Sequence, residues 1–357
     1  MTRHPRPDRR TLLAGTGFLT LSGVLAACAP SEDTPPAASS GASDGTPTPN
    51  LRPEQIERVV GEIVATVAEA DKAKDAAALA PRVTGSAAAF RTAAYAAQKA
   101  EPELASQIAG QLVPPSSAVF AAVPTLGTGF PRSSVVLTGD ASDQPLTFLQ
   151  ITQEDARAPY TTWGWAVQMP GVPMPRIAPE GAGAEAVPPD ADDLLMTPTQ
   201  ALAHYAKVLS DGAAADPRKQ LAADPYLTAM HKGIQDERAQ LNRGVEQDQV
   251  ATIREVYTPV GTEQAAVRTT DGGAIVMGTF TSVRRLAVKP GATVGGFTVE
   301  GGAPSLPAAL TGRTEFTREF VRDYGTTVAL HVPPRSASGG KIQPIAALRH
   351  FLRSSGS

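Results

Sequence analysis

Few residues are of a type and spacing that could do chemistry. Beyond residue 50 the histidines are His204, His231, His331 and His350. None makes an HxH, HxxxH or HExxH pair, so zinc spacing is lacking. No metal and no cofactor is expected. Ser338 and Lys341 in SGGK have the SxxK spacing of a serine nucleophile beside a lysine base. That pair opens a helix and needs SDN-like and KTG-like elements elsewhere. Here it sits in PPRSASGGK, a predicted turn between strands, with neither companion. No GxSxG is present, and the glycine-rich run 289–302 has no GK[ST], so a phosphate loop is not expected. That run is predicted to be a long exposed loop, usable as a contact surface. The short acid clusters, Asp140 with Asp143 and Asp190 with Asp192 and Asp193, lack the ligand count of a calcium loop.

Aromatic residues make up only 5% of the chain, which draws attention to TTWGWAVQM. Strand alternation puts Trp163 and Trp165 on one face, and Gly164 leaves the other face bare for a close approach. These rings are expected either to fill a core or, with Met169 at the rim, to line a hollow or a partner-facing patch. Trp163, Trp165 and Met169 are therefore the candidate binding surface. In RTEFTREFVRD, Phe316, Arg318, Phe320 and Arg322 alternate with Glu315, Glu319 and Asp323. Cross-strand charge pairing explains such a stripe, and an anion-binding groove is the alternative.

The chain has one cysteine, Cys28, so it forms no internal disulfide. Ahead of it, Arg3, Arg6, Arg9 and Arg10 precede an uncharged apolar run of 17 residues, 11–27. A basic start, a short apolar stretch and small residues at its end make a secretory signal. LAAC, Leu25–Cys28, resembles the bacterial lipobox, and RRTLL resembles a twin-arginine export signal. The resemblance implies cleavage before Cys28 and a diacylglyceryl group on its sulfur, so the protein is expected on the extracytoplasmic face of the membrane. Two acyl chains suffice for stable anchoring where one is marginal. Residues 28–50, rich in Pro, Ser, Thr and Ala, cannot bury enough surface to order and are predicted to be a stalk. The leader carries four arginines and one aspartate, so the remaining chain is near −6 against −3 overall. That balance disfavours nucleic acid as a partner.

Residues 51–357 are expected to form two α+β domains, 51–174 and 197–357, joined by a Pro- and acid-rich linker, 175–196. Ile56, Val59, Val60, Ile63 and Val67 carry a helical period from Pro53, predicted to run to Leu79. A second helix starts near Ser86. Strands follow at 133–139, 145–153 and 160–169. The second half repeats the order: helices at 197–212 and 224–244, with Leu202, Tyr205 and Leu209 inward. Strands are then predicted at 249–260, 263–270 and 274–288. A hairpin turning at Tyr324–Gly325 follows, and a C-terminal strand lies within 341–353.

Helices before an antiparallel sheet, twice over, resembles NTF2-like (cystatin-like) domains, which implies curved sheets around a hollow. The chain also resembles envelope lipoproteins of actinobacteria. Together these imply a non-catalytic binding or assembly module whose partner is an envelope protein or a small apolar ligand. The alternatives are a hydrolase with its site in the hollow and a solute-binding lipoprotein of an importer.

Overall fold

A computed structural model describes residues 47–140, 145–299 and 304–357. The leader, Cys28 and the stalk up to residue 46 lie outside the described residues. The fold is α+β. The helices are α1 (Pro53–Ala73), α2 (Gly85–Ala100), α3 (Ala105–Gln111), α4 (Pro198–Asp211), α5 (Pro225–Leu241) and α6 (Leu306–Ala309). The strands are β1 (Val119–Pro124), β2 (Arg132–Thr138), β3 (Thr147–Gln153), β4 (Trp165–Gln168) and β5 (Ala251–Arg268). After them come β6 (Ala274–Val288), β7 (Val294–Gly295), β8 (Glu315–Phe316), β9 (Glu319–Val332) and β10 (Gln343–Gly356).

The described residues from 47 onward form one compact unit that spans both of the expected α+β domains. Eight strands make a single antiparallel sheet in the order β1-β2-β3-β4-β10-β9-β6-β5, while β7 and β8 pair separately. The joint between the halves is β4, whose Val167 and Gln168 stand opposite Ala347 and Ala346 of β10. The sheet curls until β5 comes back against β2. Residues 175–196 do not act as a free linker: Ala184 bridges Thr125 and Ala186 bridges Val267.

The curl is filled rather than hollow. Val135, Leu137, Phe148, Ile275, Met277, Ala329 and Ile345 pack together on its inner face. A second cluster packs α1 and α2 on Val136, Leu149, Ile151 and Trp165. A third packs Leu202, Tyr205 and Leu209 of α4 on Val276, Phe280, Val328 and Leu330, as the helical period predicts. Gly278 makes room for that helix, since a Cβ there would stand 2.6 Å from Leu202 Cδ1.

Several boundaries differ from expectation for local reasons. α1 stops at Ala73 because Lys74 takes a left-handed conformation (φ 51°), and Asp75 then caps a short 3-10 turn by accepting from Ala77 N at 2.9 Å. The strands expected at 249–260 and 263–270 are one strand, β5, with a register shift between Pro259 and Gln264. Tyr324–Gly325 is not a turn; both lie inside β9. No helix among the described residues is long and apolar enough to cross a membrane.

Candidate functional site

Where β2 and β3 face β5, the mouth of the curl leaves a cleft of about 400 Å³. Trp163 forms one wall, with Gln150, Thr152, Ser133, Gln264 and Val187 among the lining residues. Gln150 is only 1% exposed, yet its Oε1 accepts no hydrogen bond. An orphaned buried amide oxygen carries a desolvation cost of about 1–3 kcal/mol until a donor reaches it. The hydroxyls of Ser133 and Thr152 lie 3.3 Å apart, and Gln264 Oε1 accepts from Thr199 Oγ1 at 3.2 Å.

Just behind the cleft, Glu263 crosses between the halves of the chain. Its Oε1 accepts from Ser86 N at 2.7 Å and so caps α2, placing a carboxylate at the positive end of a helix. Gly85, with φ 52°, is the position where this approach needs glycine: a Cβ would collide with that same oxygen. The second oxygen of Glu263 is buried without a partner.

The three residues singled out as a binding surface do not act together. Trp163 and Trp165 were expected on one face, but the chain enters β4 only at Trp165, so strand alternation does not link them. Trp163 packs inside the curl and lines the cleft, while Trp165 belongs to the cluster under α1 and α2. Trp165 donates from Nε1 to Val113 O at 2.9 Å and lies under the guanidinium of Arg91, 4.6 Å from its ring centre. Arg91 in turn reaches Asp71 with Nε and Nη2, at 3.0 and 3.3 Å, and Tyr95 donates to the same carboxylate. Met169 is buried inside the curl and is not a rim residue. Gly164 does permit a close approach, with Thr327 3.1 Å from where its Cβ would stand.

A second polar constellation lies beneath α5. Glu255 of β5 is fully buried and accepts from Arg284 Nε and Arg349 Nη2, both at 2.7 Å, and from Ser282 Oγ at 2.6 Å. Glu237 of α5 accepts from Arg284 Nη1 at 3.3 Å and Arg322 Nη2 at 2.6 Å. Burial pushes the Glu255 carboxyl up, but Arg349 and Arg284 outweigh it and hold it below the ordinary carboxylate range. The Arg349 guanidinium also lies 3.6 Å from the Tyr324 ring centre. α5 buries no residue completely, and these polar contacts dock it on the sheet together with the partly buried Tyr226, Leu227 and Leu241. Arg322 borders a cleft of about 340 Å³ formed with the glycine-rich run, at Thr293–Thr298. Of the charged stripe, Phe316 and Phe320 stack 4.3 Å apart and Arg322 is buried, whereas Arg318 lies outside the strands and is exposed. Glu319 and Asp323 pair across the sheet with Arg285 and Arg353.

The histidines are dispersed. His204 meets Asp216 at 3.2 Å, His231 meets Leu209 O at 3.1 Å, and His331 stands 3.4 Å from Asp271. Among the described residues no group of three or more His, Cys, Asp or Glu could hold a metal ion. His350 is buried against Phe90, ring centres 5.2 Å apart. Burial and, secondarily, the charge of Arg91 push its pKa down to about 3. The unfolded chain protonates near pH 6.5 while the fold keeps this ring neutral, so stability is full above that pH and falls as pH drops toward 3. The expected loss is about 2 kcal/mol by pH 5. Urea midpoints at pH 7 and pH 5 should separate the wild type from His350→Leu, whose acid-side loss is smaller by that amount.

Residues 47–343 match a family model described as a domain of unknown function (DUF8094). No curated protein and no solved structure matches the chain.

Proposed function

The chain belongs to the DUF8094 family, and on that premise we propose that it is a lipid-anchored extracytoplasmic lipoprotein with a binding domain. In this reading the Sec or twin-arginine route exports it, and diacylglyceryl Cys28 holds it to the membrane. The stalk of this reading ends before residue 48, because Thr48, Pro49 and Asn50 pair with Gly127, Leu126 and Thr125, and the domain beyond it binds a ligand or an envelope partner without transforming it. The finer fold reading is that each half keeps the helices-then-sheet order of NTF2-like domains, with the two sheets merged through β4 and β10.

The observation that carries the binding reading is the buried, unpartnered Oε1 of Gln150 in a ligand-sized cleft. Within the cleft the groups are indole, amide and hydroxyl, which hold a ligand by apolar contact and hydrogen bonds but do not exchange protons near neutral pH, and the one carboxylate of the lining, Glu154, is exposed. The nearest buried carboxylate, Glu263, is engaged in capping α2. About half of the lining is apolar, but the unpartnered Gln150 acceptor and the neighbouring hydroxyls would be left unused by a purely apolar ligand, which favours one with hydroxyl groups. Two measurements test the anchor. Cys28→Ala should abolish incorporation of labelled palmitate and shift the protein from the membrane fraction to the soluble one. Unchanged membrane retention overturns the lipoprotein reading.

A further inference from the structure

We infer that the cleft at the mouth of the curl takes a neutral, polyhydroxylated ring, a mono- or disaccharide unit, lying against Trp163. The inference rests on the binding reading above and specifies its ligand.

Four features of the cleft lead to it. The volume of about 400 Å³ falls within the range of small-molecule sites. No lysine or arginine lines it, so a phosphate or carboxylate would enter without a counter-charge and would pay its full desolvation cost. The one charged lining residue, Glu154, is exposed at the rim. The polar atoms within are neutral: the Gln150 amide, the Ser133 and Thr152 hydroxyls and the Gln264 amide. Gln150 Oε1 lacks a donor, and a sugar hydroxyl is one. Trp163, one of only two tryptophans in the chain, is 9% exposed and offers the edge of its indole to the cleft as an apolar contact for the carbon–hydrogen groups of a pyranose. Apolar contact with an indole and hydroxyl hydrogen bonding are two contacts a sugar ring offers, and both have a partner here. A free sugar and the end unit of an envelope polysaccharide share this chemistry.

The test uses the full lipidated chain in a zwitterionic detergent without a sugar headgroup. Tryptophan emission is followed during titration with glucose, N-acetylglucosamine, maltose and maltotriose, with glucose 6-phosphate and spermidine as charged probes. The expected result is a saturable change with at least one neutral sugar, and none with glucose 6-phosphate. Trp163→Phe should abolish the signal, and calorimetry should still detect weakened binding. Gln150→Leu should weaken affinity about 3–10-fold, the equivalent of one neutral hydrogen bond. The same variant should leave the unfolding midpoint unchanged or raise it, because it removes an orphaned acceptor. A purely structural Gln150 would leave affinity untouched. Affinity that rises from maltose to maltotriose points to a polymer end, and equal affinity points to a free sugar. No saturable response to any neutral sugar, or an affinity indifferent to Gln150→Leu, overturns the inference. Gln150-sensitive binding of spermidine also overturns it, while leaving the cleft as a binding site. Failure here with Cys28→Ala still released from the membrane leaves the anchor reading standing.

Discussion

Glu255→Ala should lower the free energy of unfolding by about 3–5 kcal/mol, the usual cost of removing one partner from a buried ion pair. The size follows from what is left behind. Glu255 is fully buried between Arg284 and Arg349. Without it, Arg349 would lose its carboxylate partner, and the buried Arg284 and Arg322 would share the single carboxylate of Glu237. Arg322 Nε and Arg349 Nε already lack partners, so no slack exists to absorb another loss. Denaturant unfolding measures the effect directly. Glu255→Leu combined with Arg284→Leu and Arg349→Met should recover most of it, because an apolar replacement of a whole buried charge cluster is often neutral or stabilising. If Glu255→Ala costs under about 1 kcal/mol, the site behaves like an exposed ion pair and its docking role for α5 is wrong.

Gly325→Ala should be the second large effect, at about 1–3 kcal/mol or more, although alanine normally suits a strand better than glycine. A Cβ at this position overlaps the ring of Phe90, which α2 lays directly on the backbone of β9. Phe90 is 3% exposed and also contacts His350, so the ring has nowhere to retreat. Phe90→Ala alone should cost about 3–5 kcal/mol. The double variant is the informative one: once the ring is gone, Gly325→Ala should cost nothing or stabilise. Strict additivity of the two changes would show that the contact between α2 and β9 is not what requires glycine.

The same glycine shows where sequence reasoning stops. Tyr-Gly between two alternating runs has the local signature of a hairpin, and nothing within ten residues of Gly325 contradicts that. The deciding partner, Phe90, is more than two hundred residues away. The break assumed near Gly261 misled in the same way, since a register shift inside β5 resembles a turn when only neighbouring residues are considered. Elements set by their own periodicity were legible: α1 from its valine and isoleucine spacing, α4 from Leu202, Tyr205 and Leu209, and β6 to both ends. Merging of the two halves was not, because β4 is only four residues long and its pairing with β10 leaves no local mark. Half of the cleft was visible in Trp163, the rarity of whose residue type singled it out. Gln150 was not: TFLQITQ also holds Thr147, Thr152 and Gln153, and its alternation with Leu149 and Ile151 predicts a solvent-facing amide rather than a buried one. The acid–arginine cluster under α5 draws on four strands and a helix, and only Arg322 among its members had been noticed.

β10 is the last strand along the chain, yet it sits in the middle of the sheet, between β4 and β9. This placement fixes an order of events during synthesis. Until residues 343–356 leave the ribosome, β4 and β9 remain unpaired edges, and the two halves have no common sheet. A chain growing from its N-terminus therefore passes through a long period in which exposed strand edges could pair wrongly. Closure then depends on contacts between residues nearly two hundred positions apart, which makes it slow compared with the helices. The joined sheet cannot form before residues 343–356 are available, and a chain lacking β10 should accumulate as a protease-sensitive, aggregation-prone species rather than as a stable half.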